Sequence, residues 1–394
     1  VKKVHTGDTV DINIVRERIQ LPDVEYGAML DDTTGYILQS GFTDNVSGEL
    51  RAKFQELKKQ GMKRLVLDLR GNGGGLMSEA VNIVSLFVPK GSLVVSSKGN
   101  SEDSKKEYRT MTEPLDTEIP IIVMIDSGSA SSAEIVAGAL QDMDRAVLMG
   151  QRSFGKGLVQ SLMPLGYNAY AKITTAKYYI PSGRCVQRIN YSAHDGSNKE
   201  IIPDSLIREF TTRNGRKVYD GKGLMPDVKV EPEYISSFAM ILYNLGYIED
   251  FLDGYMRRNP NLKVDNRSFS ISDSDYEEFV KFMADKDVPY ESRTRIALES
   301  LKKISKEERY DTGFAEDLKQ IETKLKDQTA DNLRHYKAEV KDLINSDVVM
   351  RHNYFEGVVE HNLVSDSTVM KAVELLGDQE RYRKILSEQH TAKN

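Results

Sequence analysis

Short, uninterrupted apolar runs, each breaking into a glycine- or serine-rich turn ahead of a helix, constrain this chain most. Lys63 to Leu69 (KRLVLDL) reads as a buried strand, and at its C-terminal end it delivers Arg70-Gly71-Asn72-Gly73-Gly74-Gly75 before a helix over Met77 to Phe87. Ile119 to Ile125 (IPIIVMI) repeats the pattern, passing through a serine-rich turn into a helix over Ser131 to Met143, and Arg145 to Met149 makes a third strand. This alternation implies βαβ units and an α/β layer structure.

Flanking segments extend that core. Asp31 to Gly35 is turn-rich and precedes β-prone Tyr36 to Leu38, which predicts a hairpin. Gly48 to Gln60 has helical spacing at Leu50, Phe54 and Leu57 and stops at Gly61. Leu158 to Ile180 is β-branched and aromatic around a Gly166-Tyr167-Asn168 turn, a second hairpin, and Ile201 to Gly223 is polar and turn-rich. Val10 to Val15 alternates like a half-buried strand without evident partners. Beyond Pro232 the β-branched residues thin out, and Ser236 to Ile248, Asp273 to Asp285, Ser292 to Ile304 and Phe314 to Ile344 read as amphipathic helices, with shorter ones near Met350 to Leu363 and Ser367 to Leu386. Leu318, Ile321, Leu325 and Leu333 fall near one helix face, a packing stripe rather than a cofactor site.

Composition narrows the function classes. A chain of 394 residues is expected to hold two or three domains. Its net charge of −6 offers no basic field for nucleic acid, and no apolar run nears the roughly 20 residues of a membrane helix. Cys185 is the only cysteine, which excludes an intrachain disulfide and a cysteine-built metal site. The chain opens at Val1 with neither a charged nor an apolar leader, so any targeting segment is expected outside it.

The six histidines (His5, His194, His335, His352, His361, His390) leave Gly27 to Gly183 without one. A Ser-His-Asp relay would have to draw a histidine from elsewhere in the chain, whereas a serine with a lysine base would not. Lys156 suits that role: it lies between Gly155 and Gly157, among Phe154, Leu158 and Val159, with no acid between Asp144 and itself. A lysine base must be a neutral amine, a state that burial favours; the alternative is a turn lysine in solvent. Gly150 to Gly157 (GQRSFGKG) departs from the phosphate-binding G-x-x-x-x-G-K-[ST] pattern at Gly157, and a β-prone run follows it instead of a helix. The N–H groups of Gly71, Gly73, Gly74 and Gly75 can converge on an anion, or serve only a tight turn. Ser131 at the head of a helix gains from the next N–H and from the helix dipole, although Ser129, Ser131 and Ser132 are equally at home as N-caps.

DLRGNGGG at 68–75, SGSASSAEI at 127–135, FGKGLVQ at 154–160 and GLMPDV at 223–228, with TTAKYYIPSGRCVQ at 174–187, resemble the carboxy-terminal processing (tail-specific) protease family. The resemblance covers residues 21–232. It implies an α/β core of the ClpP/crotonase-like class there, a remnant of a PDZ domain's last strand and linker over 1–20, and an α-helical C-terminal domain over 233–394. It further implies Ser131 as nucleophile, Lys156 as general base, Gln160 as the amide that orients it, and Gly74 with Ser132 as oxyanion hole. Positions 156, 158 and 160 would share one face of a strand. The family's usual S-A-S-A-S-E has an alanine where Ser132 stands, which leaves Ser132 as the competing nucleophile, and Cys185 becomes a packing residue.

The implied activity is a serine endopeptidase that processes proteins near their C-termini through an acyl-enzyme. The implied partners are proteins or peptides with accessible C-termini, without nucleic acid, membrane span, metal or cofactor, and with a homo-oligomer formed through the helical domain. The implied location is a bacterial cell envelope, outside the cytoplasm. The competing readings are a non-catalytic scaffold that retains the fold and a crotonase-like acyl-CoA enzyme.

Overall fold

The computed structural model describes every residue except 2, 4–7, 18, 20, 101–103, 191–199, 326–328 and 388–394. The chain divides into two compact units: Arg18–Pro232 with Asp366–Asn394, and Val1–Glu17 with Glu233–Ser365.

The first unit carries the motifs. In chain order it holds β1 (Val24–Met29), β2 (Thr34–Gln39), α1 (Val46–Lys59), β3 (Arg64–Asp68), α2 (Met77–Ser85), β4 (Leu93–Gly99), β5 (Lys106–Arg109), β6 (Ile121–Ile125), α3 (Ser132–Asp142) and β7 (Val147–Gly150). The long hairpin β8 (Leu158–Gly166) and β9 (Ala169–Tyr179) follows, then two ribbons, β10 (Ile189–Asn190) with β11 (Glu200–Ile201) and β12 (Glu209–Thr211) with β13 (Lys217–Tyr219), and finally β14 (Val228–Lys229). One sheet has the order β1-β2-β3-β6-β7-β14, parallel from β2 onward with β1 antiparallel at its edge; a second, antiparallel sheet runs β5-β4-β9-β8. The predicted strands and helices of the core are therefore present, and β4 and β5, whose mixed Ser, Lys and Glu content gives little periodicity, are additions.

Leu65 and Leu67 of β3 and Ile121 and Val123 of β6 pack into one core with Leu50, Phe54, Leu57, Ile83 and Leu140 of the helices. The alternate residues Val66, Ile122 and Met124 point the other way and are equally buried. Their cover comes from the far end of the chain. The helical stretch after Pro232 does not stay in one body: α11 (Ser367–Gly377) and α12 (Gln379–Ser387) lie against β3, β6 and β7 of the first unit. The physical reason is that strands apolar on both faces need a layer on each side, and Val369, Ala372, Leu375, Leu376 and Tyr382 supply the second.

Tyr382 Oη accepts from Ile121 N–H at 2.9 Å and donates to Ile121 C=O at 3.0 Å, completing the strand where β7 has not yet begun. Tyr382→Phe leaves two buried backbone groups without partners and is expected to cost about 2 kcal/mol. At about 2–4 °C per kcal/mol for a unit of this size, calorimetry should register a fall of several degrees. An unchanged melting temperature would refute the role of the bond.

The second unit is helical: α4 (Ser237–Asn244), α5 (Tyr247–Arg258), α6 (Asp273–Phe282), α9 (Thr329–His335) and α10 (Lys337–Leu363) gather around Phe238, Leu252, Tyr276, Phe279, Ile344 and Val348, while α7 (Arg293–Glu307) and α8 (Asp311–Lys324) pair with each other. Two expectations change here. The run from Phe314 to Ile344 is three helices, because Leu325 leaves helical geometry after α8; Leu318 and Leu333 are buried but Ile321 is exposed, so the expected stripe is not continuous. Val10 to Val15 forms no strand, and Ile12, Ile14 and Val15 are exposed, as expected of an alternating segment without a neighbour to pair with. Among the described residues no helix is long and apolar enough to cross a membrane.

Candidate active site

The glycine turn after β3 is fixed from several sides. Gly71, at φ +67°, donates its N–H to Asp126 Oδ1 at 2.8 Å. The fully buried Asn72 donates Nδ2–H to Gln39 C=O at 2.8 Å, and its own C=O accepts Ala130 N–H at 2.9 Å. At Gly74, φ is +87°, and a Cβ there would lie 2.6 Å from Ala130 O and 2.8 Å from both Ser131 Cβ and Ser132 N. Only glycine fits a left-handed backbone pressed this closely against the serine turn.

The three serines differ in what their hydroxyls do. Ser129 Oγ donates to Leu69 C=O at 2.7 Å, and Ser132 Oγ, 1% exposed, donates to Gly75 C=O at 2.9 Å. Both are used to tie the serine turn to the glycine turn. Ser131 is half-buried and sits at φ 57°, ψ −114°, a conformation that costs a non-glycine residue about 1–3 kcal/mol and is held by its surroundings. Its N–H donates to Glu134 Oε2 at 3.0 Å and its C=O accepts Tyr178 Oη–H at 3.2 Å. Burial pushes the Tyr178 phenol well up, so it remains a neutral donor. Ser131 thus precedes α3 directly, at the positive end of the helix dipole.

Glu134 joins this elbow to the lysine loop. Its carboxylate is fully buried; Oε1 accepts Ser153 Oγ–H at 2.5 Å and Gly155 N–H at 2.7 Å, while Oε2 accepts Ser131 N–H and, at 2.8 Å, Lys156 N–H. Burial pushes its pKa up, against the lowering effect of these four hydrogen bonds. Phe154 N–H donates to Ser129 C=O at 3.0 Å, and Ser153 Oγ in turn accepts Leu224 N–H at 2.7 Å, which makes the 223–228 segment a buttress of the lysine loop.

The structure brings Ser131, Ser132, Gly74 and the Lys156 backbone into one hydrogen-bonded knot. Phe154, Lys156, Leu158 and Gln160 all line one cleft of about 1070 Å³ together with Lys177, Cys185 and Gln187; β8 begins only at Leu158, and its register against β9 shifts between Val159 and Gln160. Burial pushes the Cys185 thiol up, away from reactivity. Two parts of the expected arrangement are not formed. Among the described residues no hydrogen bond joins Ser131 Oγ to Lys156 Nζ or to Gln160, and the Gly74 N–H donates to Asn72 Oδ1 at 2.9 Å rather than standing open. His335, His352 and His361 belong to the helical unit, whereas His5, His194 and His390 lie outside the described residues. Among the described residues no group of His, Cys, Asp or Glu is arranged to hold a metal.

Sequence reasoning passed over Glu134 as a functional residue. Its signal was the Ser-x-x-Glu spacing of a capping box, which directs an N3 carboxylate back to the N-cap N–H. Nothing in the sequence linked that carboxylate to Lys156 N–H.

The comparisons with known proteins agree with the motifs. Residues 33–207 match the model described as peptidase family S41, and residues 238–376 that described as the C-terminal helical domain of a probable PDZ-protease. A carboxy-terminal-processing protease of Bartonella bacilliformis is 41% identical over 204 residues, covering 51% of this chain and 44% of that protein. A carboxyl-terminal-processing protease of Picosynechococcus sp. is 35% identical over 202 residues, covering 51% and 44%, and the carboxy-terminal processing protease CtpA of Bacillus subtilis is 28% identical over 302, covering 75% and 61%. The chain thus spans about half the length of the curated relatives it matches. A solved photosystem II D1 C-terminal processing protease is 29% identical and covers 52% of this chain and 44% of that one, with a TM-score of 0.39. Over residues 33–207 this chain is thus similar to peptidase family S41, and over residues 238–376 to the C-terminal helical domain of a probable PDZ-protease.

Proposed function

We propose that the protein is a serine endopeptidase with a Ser131–Lys156 dyad that acts on proteins near their C-termini. The observation that carries the proposal is the division of labour among the serines: Ser129 and Ser132 spend their hydroxyls on backbone carbonyls, and Ser131 is left on a strained elbow against the Gly74 turn. Ser131 Oγ attacks the scissile carbonyl carbon while its proton passes to the Lys156 amine. The carbonyl oxygen becomes an oxyanion held by the Ser132 N–H. Lys156 then returns the proton to the leaving amine, the peptide bond breaks, and water hydrolyses the acyl-Ser131 ester by the same route. Gln160, on the same cleft as Lys156, orients the amine. For Gly74 to supply a second donor, its N–H must exchange Asn72 Oδ1 for the substrate oxygen.

The rival reading, a non-catalytic scaffold, draws on the missing Ser131–Lys156 hydrogen bond. A peptidyl boronate or fluorophosphonate probe separates the two. The proposal expects covalent labelling that Ser131→Ala abolishes and Ser132→Ala retains within a few-fold, and that EDTA leaves untouched because the mechanism needs no metal. Absence of labelling in the wild type, or its loss in Ser132→Ala alone, overturns the assignment.

Self-association through the helical unit is part of the same reading, supported by the exposed Ile296, Leu301 and Ile304 on α7. Sedimentation that reports a monomer at every concentration would rule it out. A place in the bacterial cell envelope completes the proposal, and recovery of the protein in the cytoplasmic fraction would contradict it.

A further inference from the structure

One ion pair lies between the glycine turn and the distant C-terminal helices. Arg70 opens the turn. Its Nε–H reaches Asp68 Oδ1 and Oδ2 at 3.0 Å, and its Nη2 donates to Asp68 Oδ2 at 2.6 Å and to Asp366 Oδ2 at 2.7 Å. Asp68 is anchored by Tyr36 Oη–H at 2.7 Å, but it is only two residues from Arg70 and belongs to the same strand end. Asp366 comes from 296 residues away. It is also the N-cap of α11, its Oδ1 accepting Thr368 N–H at 2.9 Å and Val369 N–H at 3.0 Å, so the helix fixes its carboxylate before Arg70 arrives.

A guanidinium gripped by two carboxylates cannot rotate away, and its charge is compensated where it is only partly exposed. The turn it heads runs through Gly71, held by Asp126, and Asn72, which holds both Ala130 and the Gly74 N–H. The position of the Gly74 amide relative to Ser131 therefore depends on where Arg70 is held. Asp366 also immediately follows Ser365, the last residue of the helical unit.

We infer that Asp366 is a positioning residue for the oxyanion turn, acting through Arg70, and that α11 is in this way a working part of the peptidase rather than an appended helix. The inference rests on the peptidase reading of Ser131. Asp366→Ser and Asp366→Asn divide the two jobs of the carboxylate: both residues cap helices well, but serine is too short to reach Arg70, whereas asparagine keeps an acceptor for it.

In the complete protein, Asp366→Ser should slow both kcat and phosphonylation of Ser131 about tenfold, part of the roughly 10²–10³ that loss of an oxyanion donor costs. KM and melting temperature should stay near wild type, and Asp366→Asn should fall between the two. Wild-type rates in Asp366→Ser, or a change confined to KM, overturn the inference. If the wild type itself neither turns over nor labels, the peptidase reading has failed. The latch is then judged by amide exchange over residues 69–76, which should quicken in Asp366→Ser; unchanged exchange there overturns it.

Discussion

Lys156→Ala is expected to abolish turnover of an unfolded protein substrate, with a loss on the order of 10⁴-fold or more, because a nucleophile and its base act as a unit and removing either costs nearly as much as removing both. The fold should survive. What ties this residue into the site is its backbone, whose N–H donates to Glu134, while its side chain opens into the cleft beside Leu158 and Gln160. Melting temperature and KM should therefore stay close to wild type. Lys156→Arg should not rescue, since a guanidinium remains protonated at any working pH and cannot accept the serine proton. The double variant with Ser131→Ala should be no slower than either single one. Turnover assays decide it: substantial activity in Lys156→Ala would rule out the lysine as base and return the search to a histidine relay.

The core was legible because its strands are buried on both faces, which leaves continuous apolar runs in the sequence, and because each run ends in turn residues that only a tight, functional loop requires. KRLVLDL and IPIIVMI placed β3 and β6 within a residue or two. The same runs contained a clue to the second helical layer, since a strand with no polar face needs cover twice. Which helices provide it was hidden, because the pairing of Asp366 with Arg70 and of Tyr382 with Ile121 spans more than 250 residues and leaves no local pattern. At the site, Gly74 was legible as a turn glycine whose N–H could face an anion, but its close approach to the serine turn was not. The engagement of its N–H by Asn72 was not, since hydrogen-bond direction within a turn depends on φ and ψ rather than on residue type. The choice between Ser131 and Ser132 was also open in sequence; the arrangement of their hydroxyls supports Ser131 and gives Ser132 the task of holding Gly75.

Glu134→Gln should be the more instructive damage, because it alters no volume and removes only charge and one acceptor. The carboxylate receives two donors on each oxygen, from Ser153 and Gly155 on one side and from Ser131 and Lys156 on the other. An amide must turn its NH2 toward one of these pairs. Facing Ser131 and Lys156 it opposes two backbone N–H groups; facing Ser153 and Gly155 it opposes one N–H and a hydroxyl already accepting from Leu224. Either way at least one buried donor is left without an acceptor, at a cost of about 1–3 kcal/mol each. The elbow and the lysine loop then separate, and a displacement of this kind is expected to reduce kcat by about 10²-fold. Acid should reproduce the same injury in the wild type. Protonating Glu134 removes acceptor capacity just as the amide does, and because burial has raised its pKa, kcat should fall with decreasing pH sooner than an ordinary carboxylate would allow. Glu134→Gln, already in that state, should lose the part of the acid limb that this carboxylate contributes and keep, at a lower rate, only the fall that comes from protonating the base. A full-rate variant with an unchanged profile would show that Ser131 and Lys156 are held in register by something other than the carboxylate between them.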